Sequence, residues 1–255
     1  MIAKKGANFN MRMRKKKRGA ERLSALSSII WENTSEIDVG QEKIFEKDFP
    51  LRLEIGCGKG DFICKLSARD TEYNYFAMEK VRDVIVVAAE KYATSRGLGC
   101  LSPHGEWTGP DGHVYSDGEH YDIPTSMRGN VRFIPGDAAD LEKMFQPNTF
   151  DTIYANFSDP WTKNGQAERR LTAPGFLKTY EKLLKVGGYF KFKTDNIQLF
   201  EYSLETVKNS DLELVYFTHD LHNSEKNDDN IETEYERNFS AKGFKINYLE
   251  ARKKN

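Results

Sequence analysis

An α/β fold with a seven-stranded, mostly parallel sheet and helices on both faces is predicted by two features of this 255-residue chain. Short apolar runs alternate with segments of helical period, the pattern of βαβ units. The runs end in turns rich in Gly, Asp or Asn, and an open α/β sheet binds ligands outside the carboxyl ends of its strands. The length suits one large domain with a substantial core.

The elements follow in order. Leu51 to Ile55 reads as the first strand, closed by a tight turn from Gly56 to Gly60. Asp61 to Ala68 is a helix with Phe62, Ile63 and Leu66 on one face. Tyr73 to Met78 is the second strand, with Glu79 at its end, and Val81 to Arg96 is a long helix. Val131 to Pro135 forms the third strand and ends at Gly136-Asp137-Ala138; Phe150 to Phe157 is the fourth. Thr172 is placed to cap the next helix, with Pro174 in its first turn. That helix spans Phe176 to Lys185, and Gly187-Gly188 ends it. Tyr189 to Thr194 is the fifth strand, Asn196 to Lys208 is helical, and Leu212 to Phe217 and Phe244 to Leu249 complete the sheet.

Two segments stand outside this rhythm. Residues 1–22 hold nine basic residues (Lys4, Lys5, Arg12, Arg14, Lys15, Lys16, Lys17, Arg18, Arg22) and one acid, so a segment of +8 precedes a body of −9. Such an arm is an electrostatic footprint for phosphates or simply a solvated tail. Residues 1–40 therefore read as a basic arm with a lead-in helix, and 41–255 as a single domain. Gly99 to Gly129 has no helical period and reads as an insertion carrying a hairpin from Glu106 to Tyr115 around Pro110-Asp111-Gly112. It contains Cys100, His104, His113 and His120, whose spacing fits no standard zinc pattern, so no metal is expected.

No apolar run approaches the ~18 residues of a membrane span. With no apolar signal core at the start and three cysteines in no CxxC pair, the expected location is a reducing cytoplasm.

Glu54-Ile55-Gly56-Cys57-Gly58-Lys59-Gly60 places three glycines at alternate positions between strand and helix, so Gly56 and Gly58 let the backbone approach a ligand closely. The third glycine comes one residue too early for a dinucleotide fingerprint, and Asp61 stands where helix packing wants a small residue. That spacing counts against a nicotinamide dehydrogenase. Glu54 would repel a phosphate and suits a cationic ligand such as S-adenosylmethionine. Glu79 is placed to accept two ribose hydroxyls, and Asp137 to accept an adenine amino group, with Ala138 leaving room for the ring. Cys57 lacks an obvious His or Lys partner nearby in sequence to activate it as a nucleophile.

Asn156-Phe157-Ser158-Asp159-Pro160-Trp161 follows the fourth strand. An acid beside a flat ring suits a planar, hydrogen-bonding substrate such as a base. Asp-Pro is equally a common turn with Trp closing the core. Beyond it, Lys163, Arg169 and Arg170 form a basic cluster that faces phosphate or solvent. His219 to Glu232 reads as a mobile polar loop, with His219 and His222 as loop histidines.

Together these residues resemble the bacterial tRNA (guanine-N7-)-methyltransferases of the TrmB family, over about residues 51 to 250. The matching elements are Leu53 to Gly60, Met78-Glu79-Lys80, Gly136-Asp137-Ala138, Asn156 to Trp161, Arg169-Arg170-Leu171-Thr172, Phe192 to Asn196 and Thr233-Glu234-Tyr235-Glu236, with Arg12-Met13-Arg14 similar to the family's basic start. The resemblance implies a Rossmann-like class I methyltransferase that moves the methyl of S-adenosyl-L-methionine to N7 of a variable-loop guanosine in tRNA. It implies that Glu54, Glu79, Asp137 and Asp159 line the methyl-donor site, joined by Gly56, Gly58, Ala138 and Asn156 from the motifs above. It further implies that Lys163, Asp195, Thr233, Glu234, Tyr235 and Glu236 contact the guanosine and that Asp159 is the acid closest to the chemistry. The expected partner is tRNA, with neither DNA nor membrane, and the chain is expected to be a monomer or homodimer.

Two departures stand out. Trp161-Thr162-Lys163-Asn164-Gly165-Gln166 stands where the family usually reads W-P-K-K-R-H, and loss of the Arg and His weakens the RNA contacts the resemblance implies for this loop; the 99–129 insertion is also atypical. Two alternatives stay open. One is a methyltransferase acting on another base or a small molecule, because Asn156…Asp159-Pro160-Trp161 also resembles the amino-methylating Asp/Asn-Pro-Pro-Tyr/Trp motif. The other is an inactive RNA-binding member of the fold.

Overall fold

The computed structural model describes residues 19–32, 44–102, 106–115, 119 and 122–254. Lys4 to Arg18 of the basic arm, with His104 and His120, lie outside the described residues.

The chain runs α1 (Gly19–Ala25), β1 (Leu51–Ile55), α2 (Asp61–Arg69), β2 (Asn74–Glu79), α3 (Arg82–Ser95), β3 (Cys100–Leu101), β4 (Trp107–Thr108), β5 (Val114–Tyr115), β6 (Val131–Pro135), α4 (Leu141–Met144), β7 (Phe150–Asn156), α5 (Pro174–Leu183), β8 (Leu184–Thr194), α6 (Ile197–Lys208), β9 (Leu212–Thr218), α7 (Glu234–Ser240) and β10 (Asn247–Lys253). The main sheet has seven strands in the order β6-β2-β1-β7-β8-β10-β9. Five neighbouring strands are parallel, and β10 runs antiparallel between β8 and β9. The seven-stranded, mostly parallel architecture is therefore as the sequence predicts.

Strand side chains alternate between faces. Leu53, Ile55, Phe76, Met78, Ile153, Ala155, Phe190 and Phe192 pack into one core with α4, α5 and α6. Tyr75, Ala77, Val131, Phe133 and Tyr154 face the other, covered by α1, α2 and α3. This alternation sends Glu54, between Leu53 and Ile55, toward the α2 face.

Chain order reverses between β1 and β7: β2 and β6 lie to one side, β8, β10 and β9 to the other. That is the topological switch point, where open α/β sheets open a crevice at the carboxyl ends of the strands.

Several local expectations change. The helix after Pro174 ends at Leu183, and β8 runs straight through Gly187-Gly188 instead of starting after it. Gly187 has φ +76°, and a Cβ on Gly188 would lie 3.0 Å from the Asp151 carbonyl oxygen, so the glycines make an irregularity in a strand rather than a helix stop. Thr172 does not cap α5. It is buried, its hydroxyl 2.7 Å from that of Ser203, and Ala173 holds the cap position. The last strand begins at Asn247, because residues 239–244 close α7. Arg22 leaves the basic arm altogether: it is buried on α1, with Nε and Nη2 each 2.6 Å from the Glu90 carboxylate on α3.

The insertion does carry the expected hairpin, β4 and β5, and β3 extends it to three strands. Trp107 anchors it at 1 % exposure, a burial worth ~2–3 kcal/mol. Gly99, at φ +133°, is where that ring passes, since a Cβ there would stand 2.9 Å from the indole.

Candidate active site

The cleft above the switch point measures about 680 Å³. Its walls come from the turns after β1, β2, β6 and β7, among them Gly56, Gly58, Glu79, Asp137, Ala138 and Asp159. Six of the residues expected from sequence are thus brought together.

The glycine turn is a sequence of left-handed residues: Gly56, Gly58 and Gly60 have φ of +71°, +55° and +77°. A Cβ at Gly56 or Gly58 would meet nothing within 4 Å, so backbone conformation requires these two. Gly60 differs. A Cβ there would lie 2.9 Å from the Ala88 Cβ, so Gly60 lets α3 pack close. The close-packing position is Gly60, one residue before Asp61.

Glu79 binds the turn. Its Oε2 accepts from the Gly58 N–H at 3.2 Å and its Oε1 from the Val81 N–H at 2.9 Å. Each oxygen keeps a further lone pair for a ligand hydroxyl. Asp137 accepts from the Ala139 N–H at 3.1 Å and pairs with Lys80 at 2.5 Å, and the Lys80 ammonium leads in holding its carboxyl below the usual range.

Glu54 and Asn156 do not line this cleft. Glu54 is 2 % exposed, and Asn156 Nδ2 donates to its Oε1 at 3.3 Å. Its Oε2 is buried with no hydrogen-bond partner. Burial pushes its carboxyl up to about 8, against the pull of Asn156 and Lys193. A buried carboxylate oxygen without a donor is costly unless a ligand supplies one. Together with the open glycine turn and the acids at the ends of β2 and β6, it fits a ligand bearing an ammonium, hydroxyls and an amino group, as S-adenosylmethionine does.

The Asp159 loop is held in a particular shape. Phe157 and Trp161 have φ of +53° and +40°, uncommon for residues with side chains. Arg170 supports that geometry: its Nε donates to the Pro160 carbonyl and its Nη2 to the Trp161 carbonyl, each at 3.1 Å, and its guanidinium lies 4.3 Å from the Tyr202 ring. Arg170 therefore faces the motif, not phosphate. Arg169 is exposed on the cleft rim, 5.1 Å from the Trp161 ring. Asp159 is exposed in the cleft, and the Ser158 hydroxyl beside it is buried without a partner. Nothing in the sequence reading singled out Ser158 or Arg170 for these roles, although both stand inside quoted motifs.

The expected substrate residues form a second group beside the cleft. The Tyr235 hydroxyl donates to Asp195 Oδ1 at 3.4 Å, and its ring packs on Phe157 at 4.9 Å. Burial raises the Asp195 carboxyl, and burial with Asp195 and Asp159 raises the Tyr235 phenol. Thr233 caps α7 by accepting from the Glu236 N–H at 3.0 Å, and the Glu234 N–H donates to Asp61 Oδ2 at 2.6 Å. Lys163 is exposed and does not line the cleft.

Glu236 requires a correction. It is fully buried, with its carboxylate bound to Lys193 at 2.7 Å, His222 at 2.8 Å and Asn230 at 2.7 Å. It presents no free carboxylate to a substrate; it fixes α7 to the end of β8. Lys193 also donates to the Ile231 carbonyl at 3.0 Å, while Lys65 and Arg69 donate to those of Glu232 and Asp229. The 219–232 segment is thus tied down by three cations, not a mobile loop. His219 pairs with Glu201 at 2.7 Å. Among the described residues no cluster of three His, Cys, Asp or Glu is arranged to hold a metal, and no helix is long and apolar enough to cross a membrane.

Comparison with known proteins adds the family. Residues 48–249 match a family described as putative methyltransferases. A Listeria monocytogenes tRNA (guanine-N(7)-)-methyltransferase is 37% identical over 242 residues, covering 95% of this chain and 98% of its own. Proteins of the same description from Pediococcus pentosaceus and Lactococcus lactis subsp. cremoris are 35% and 36% identical, each covering 98% or more of its own length. Among solved structures, the 16S rRNA methyltransferase KamB superposes with a TM-score of 0.56 at 10% identity, over 86% of this chain and 94% of KamB. An antibiotic-related methyltransferase superposes with a TM-score of 0.51 at 15% identity, over 87% and 98%. These two likenesses establish a shared fold.

Proposed function

The chain belongs to the tRNA (guanine-N(7)-)-methyltransferase family, and on that premise we propose how its residues carry methyl transfer from S-adenosyl-L-methionine to N7 of a guanosine in tRNA. The observation that carries the reading is the pairing, at one switch point, of the glycine turn gripped by Glu79 with the Asp159 loop facing the same cleft.

Glu79, Asp137 and the backbone at Gly56, Gly58 and Ala138 line the cleft and hold the donor: Glu79 receives the ribose hydroxyls and Asp137 the adenine amino group, while Glu54, buried and outside the cleft lining of the free protein, meets the ammonium with its unpartnered oxygen once the donor is bound. The cofactor, when bound, supplies a methyl group on an electrophilic sulfonium. Asn156 orients Glu54 from the neighbouring strand.

Guanine N7 carries its lone pair in the ring plane, so no proton has to leave it before attack and no strong general base is needed. Alignment of that nitrogen supplies a barrier reduction on the order of several kcal/mol. Methylation makes the purine cationic. Asp159, assisted by Asp195, holds the N–H edge of the base and stabilises the developing charge. Lys163, Thr233, Glu234 and Tyr235 complete the substrate side, while Glu236 acts from below by fixing α7.

The target is a variable-loop guanosine, and the site of action is the cytoplasm, where tRNA is modified. Incubation of the purified protein with S-adenosylmethionine and tRNA, then nuclease digestion and mass spectrometry, tests this: one equivalent of 7-methylguanosine is expected, mapping to the variable loop. Methyl label on adenosine, cytidine or a guanine amino group would replace this reading with another base specificity, and no label at all would leave an RNA-binding protein.

A further inference from the structure

A row of four aromatic rings leaves the cleft and ends on the surface. Phe157, in the cleft wall, packs on Tyr235 with ring centres 4.9 Å apart. Tyr235 stacks on Phe239, one helical turn later, at 4.2 Å and an interplanar angle of 18°. Phe239 meets Phe244 at 5.6 Å. Two rings of the row are open to water, Tyr235 at 42% exposure and Phe244 at 52%, while Phe239 between them is half-buried. Lys242 stands over Phe239 with Nζ 5.1 Å from the ring centre.

The turn that places Phe244 is a helix stop. The Phe244 N–H donates to the Phe239 carbonyl at 3.2 Å and the Gly243 N–H to the Ser240 carbonyl at 2.8 Å, with Gly243 at φ +82°. This is a Schellman motif, commonly accompanied by an apolar contact between the positions that Phe239 and Phe244 hold here. Any apolar side chain satisfies that contact. A flat ring with half its surface in water, continuous with the substrate side of the cleft and next to an ammonium, offers more than the cap requires.

We propose that Phe244, backed by Phe239, forms a stacking platform for an unpaired nucleotide of tRNA adjoining the target guanosine, with Lys242 beside its phosphate. The inference rests on the tRNA reading above and extends it: the RNA is held with two neighbouring nucleotides splayed out, the target in the cleft and its neighbour on the rings. Unstacked bases on aromatic faces are the usual means by which proteins hold single-stranded RNA, and such stacking tolerates any base. An electrostatic contribution from Lys242 adds to it.

The test uses F244L, which keeps the cap contact and removes the flat face, and F244W, which restores a face. For F244L, KM for tRNA is expected to rise about 5- to 150-fold, the range of single base–ring stacks. kcat at saturating tRNA should fall far less than kcat/KM, and melting temperature and S-adenosylmethionine affinity by calorimetry should stay at the wild-type values. F244W should recover most of the loss. A tRNA carrying 2-aminopurine in turn on either side of the methylated guanosine should lose fluorescence on binding the wild type and not F244L. A wild-type KM in F244L overturns the proposal, as does a parallel loss of melting temperature and cofactor affinity, which would make Phe244 a cap alone. A wild-type protein that methylates no tRNA would instead overturn the reading beneath it, so the two failures are told apart by the control.

Discussion

Asn156 Nδ2 donates to Glu54 Oε1 at 3.3 Å, across the two strands that border the switch point of the sheet. The other Glu54 oxygen is buried without a donor. The strand that begins the donor site and the strand that begins the substrate loop thus share one carboxylate.

A pH dependence follows from Glu54. Burial lifts its carboxyl from the ordinary 4.5 to about 8. Between those values the folded protein retains a proton that the unfolded chain has released, so Glu54 lowers stability progressively as pH rises from about 4.5 to about 8. Urea unfolding at pH 5, 6.5 and 8 should show a steeper decline for wild type than for E54Q. Equal slopes for the two proteins would refute the assignment.

Asp159 should matter for rate more than for donor binding. D159A is expected to lower kcat by about 10²–10³, the cost of removing one charge-stabilising group, with S-adenosylmethionine affinity changing only a few-fold. Single-turnover methylation and calorimetry on the same preparation separate the two quantities, and a D159A protein of normal rate ends the proposed role.

Arg170 positions the Asp159 loop without touching the substrate. R170A removes both donors to the carbonyls of Pro160 and Trp161, freeing a backbone held at positive φ at Trp161. kcat should fall about tenfold or more, with little change in affinity for S-adenosylmethionine. R170K, which keeps the charge but not the two-pronged donor geometry, should recover only part of the rate. Equal kcat in all three proteins would show that the loop holds itself.

Lys193 and Glu236 form a buried pair at 2.7 Å, with side-chain exposures of 4% and 0%. Removing one partner strands the other's charge, so K193M should cost about 3–5 kcal/mol in denaturant unfolding. The double variant K193M/E236L should cost less than K193M alone, because no unpaired charge remains. A double variant as unstable as the sum of the single variants would contradict this coupling.

The sequence made much of the fold legible because the signals are local. Leu51 to Ile55 followed by Gly56-Cys57-Gly58-Lys59-Gly60 marks a strand, a left-handed turn and a helix start within a dozen residues. The helix read from Asn196 to Lys208 is there, and Asn196 caps it by accepting from the Leu199 N–H at 2.8 Å. The misreadings occur where a local signal has two outcomes. Gly187-Gly188 can stop a helix or mark an irregular strand, and close approach of the Asp151 backbone selects the second. Thr172 can cap a helix or bury its hydroxyl, and Ser203 selects the second. The charged Glu250 hides a strand because Tyr248, Lys191 and Lys226 meet its carboxylate inside the fold.

By itself, then, the sequence determined the order of strands and helices, the acids and glycines at the strand ends, and the motifs that identify the family, since each depends on residues a few positions apart. Only the tertiary structure decided which charged residues face a ligand. In the sequence Arg22 and Arg170 read as charges facing phosphate or solvent and Glu236 as a substrate contact, yet each is spent on a partner inside the protein: Glu90, the Pro160 and Trp161 carbonyls, and Lys193, 43 residues away. A charge taken out of water must find a partner, and which one it finds is settled by how distant strands and helices pack, not by its neighbours in the chain.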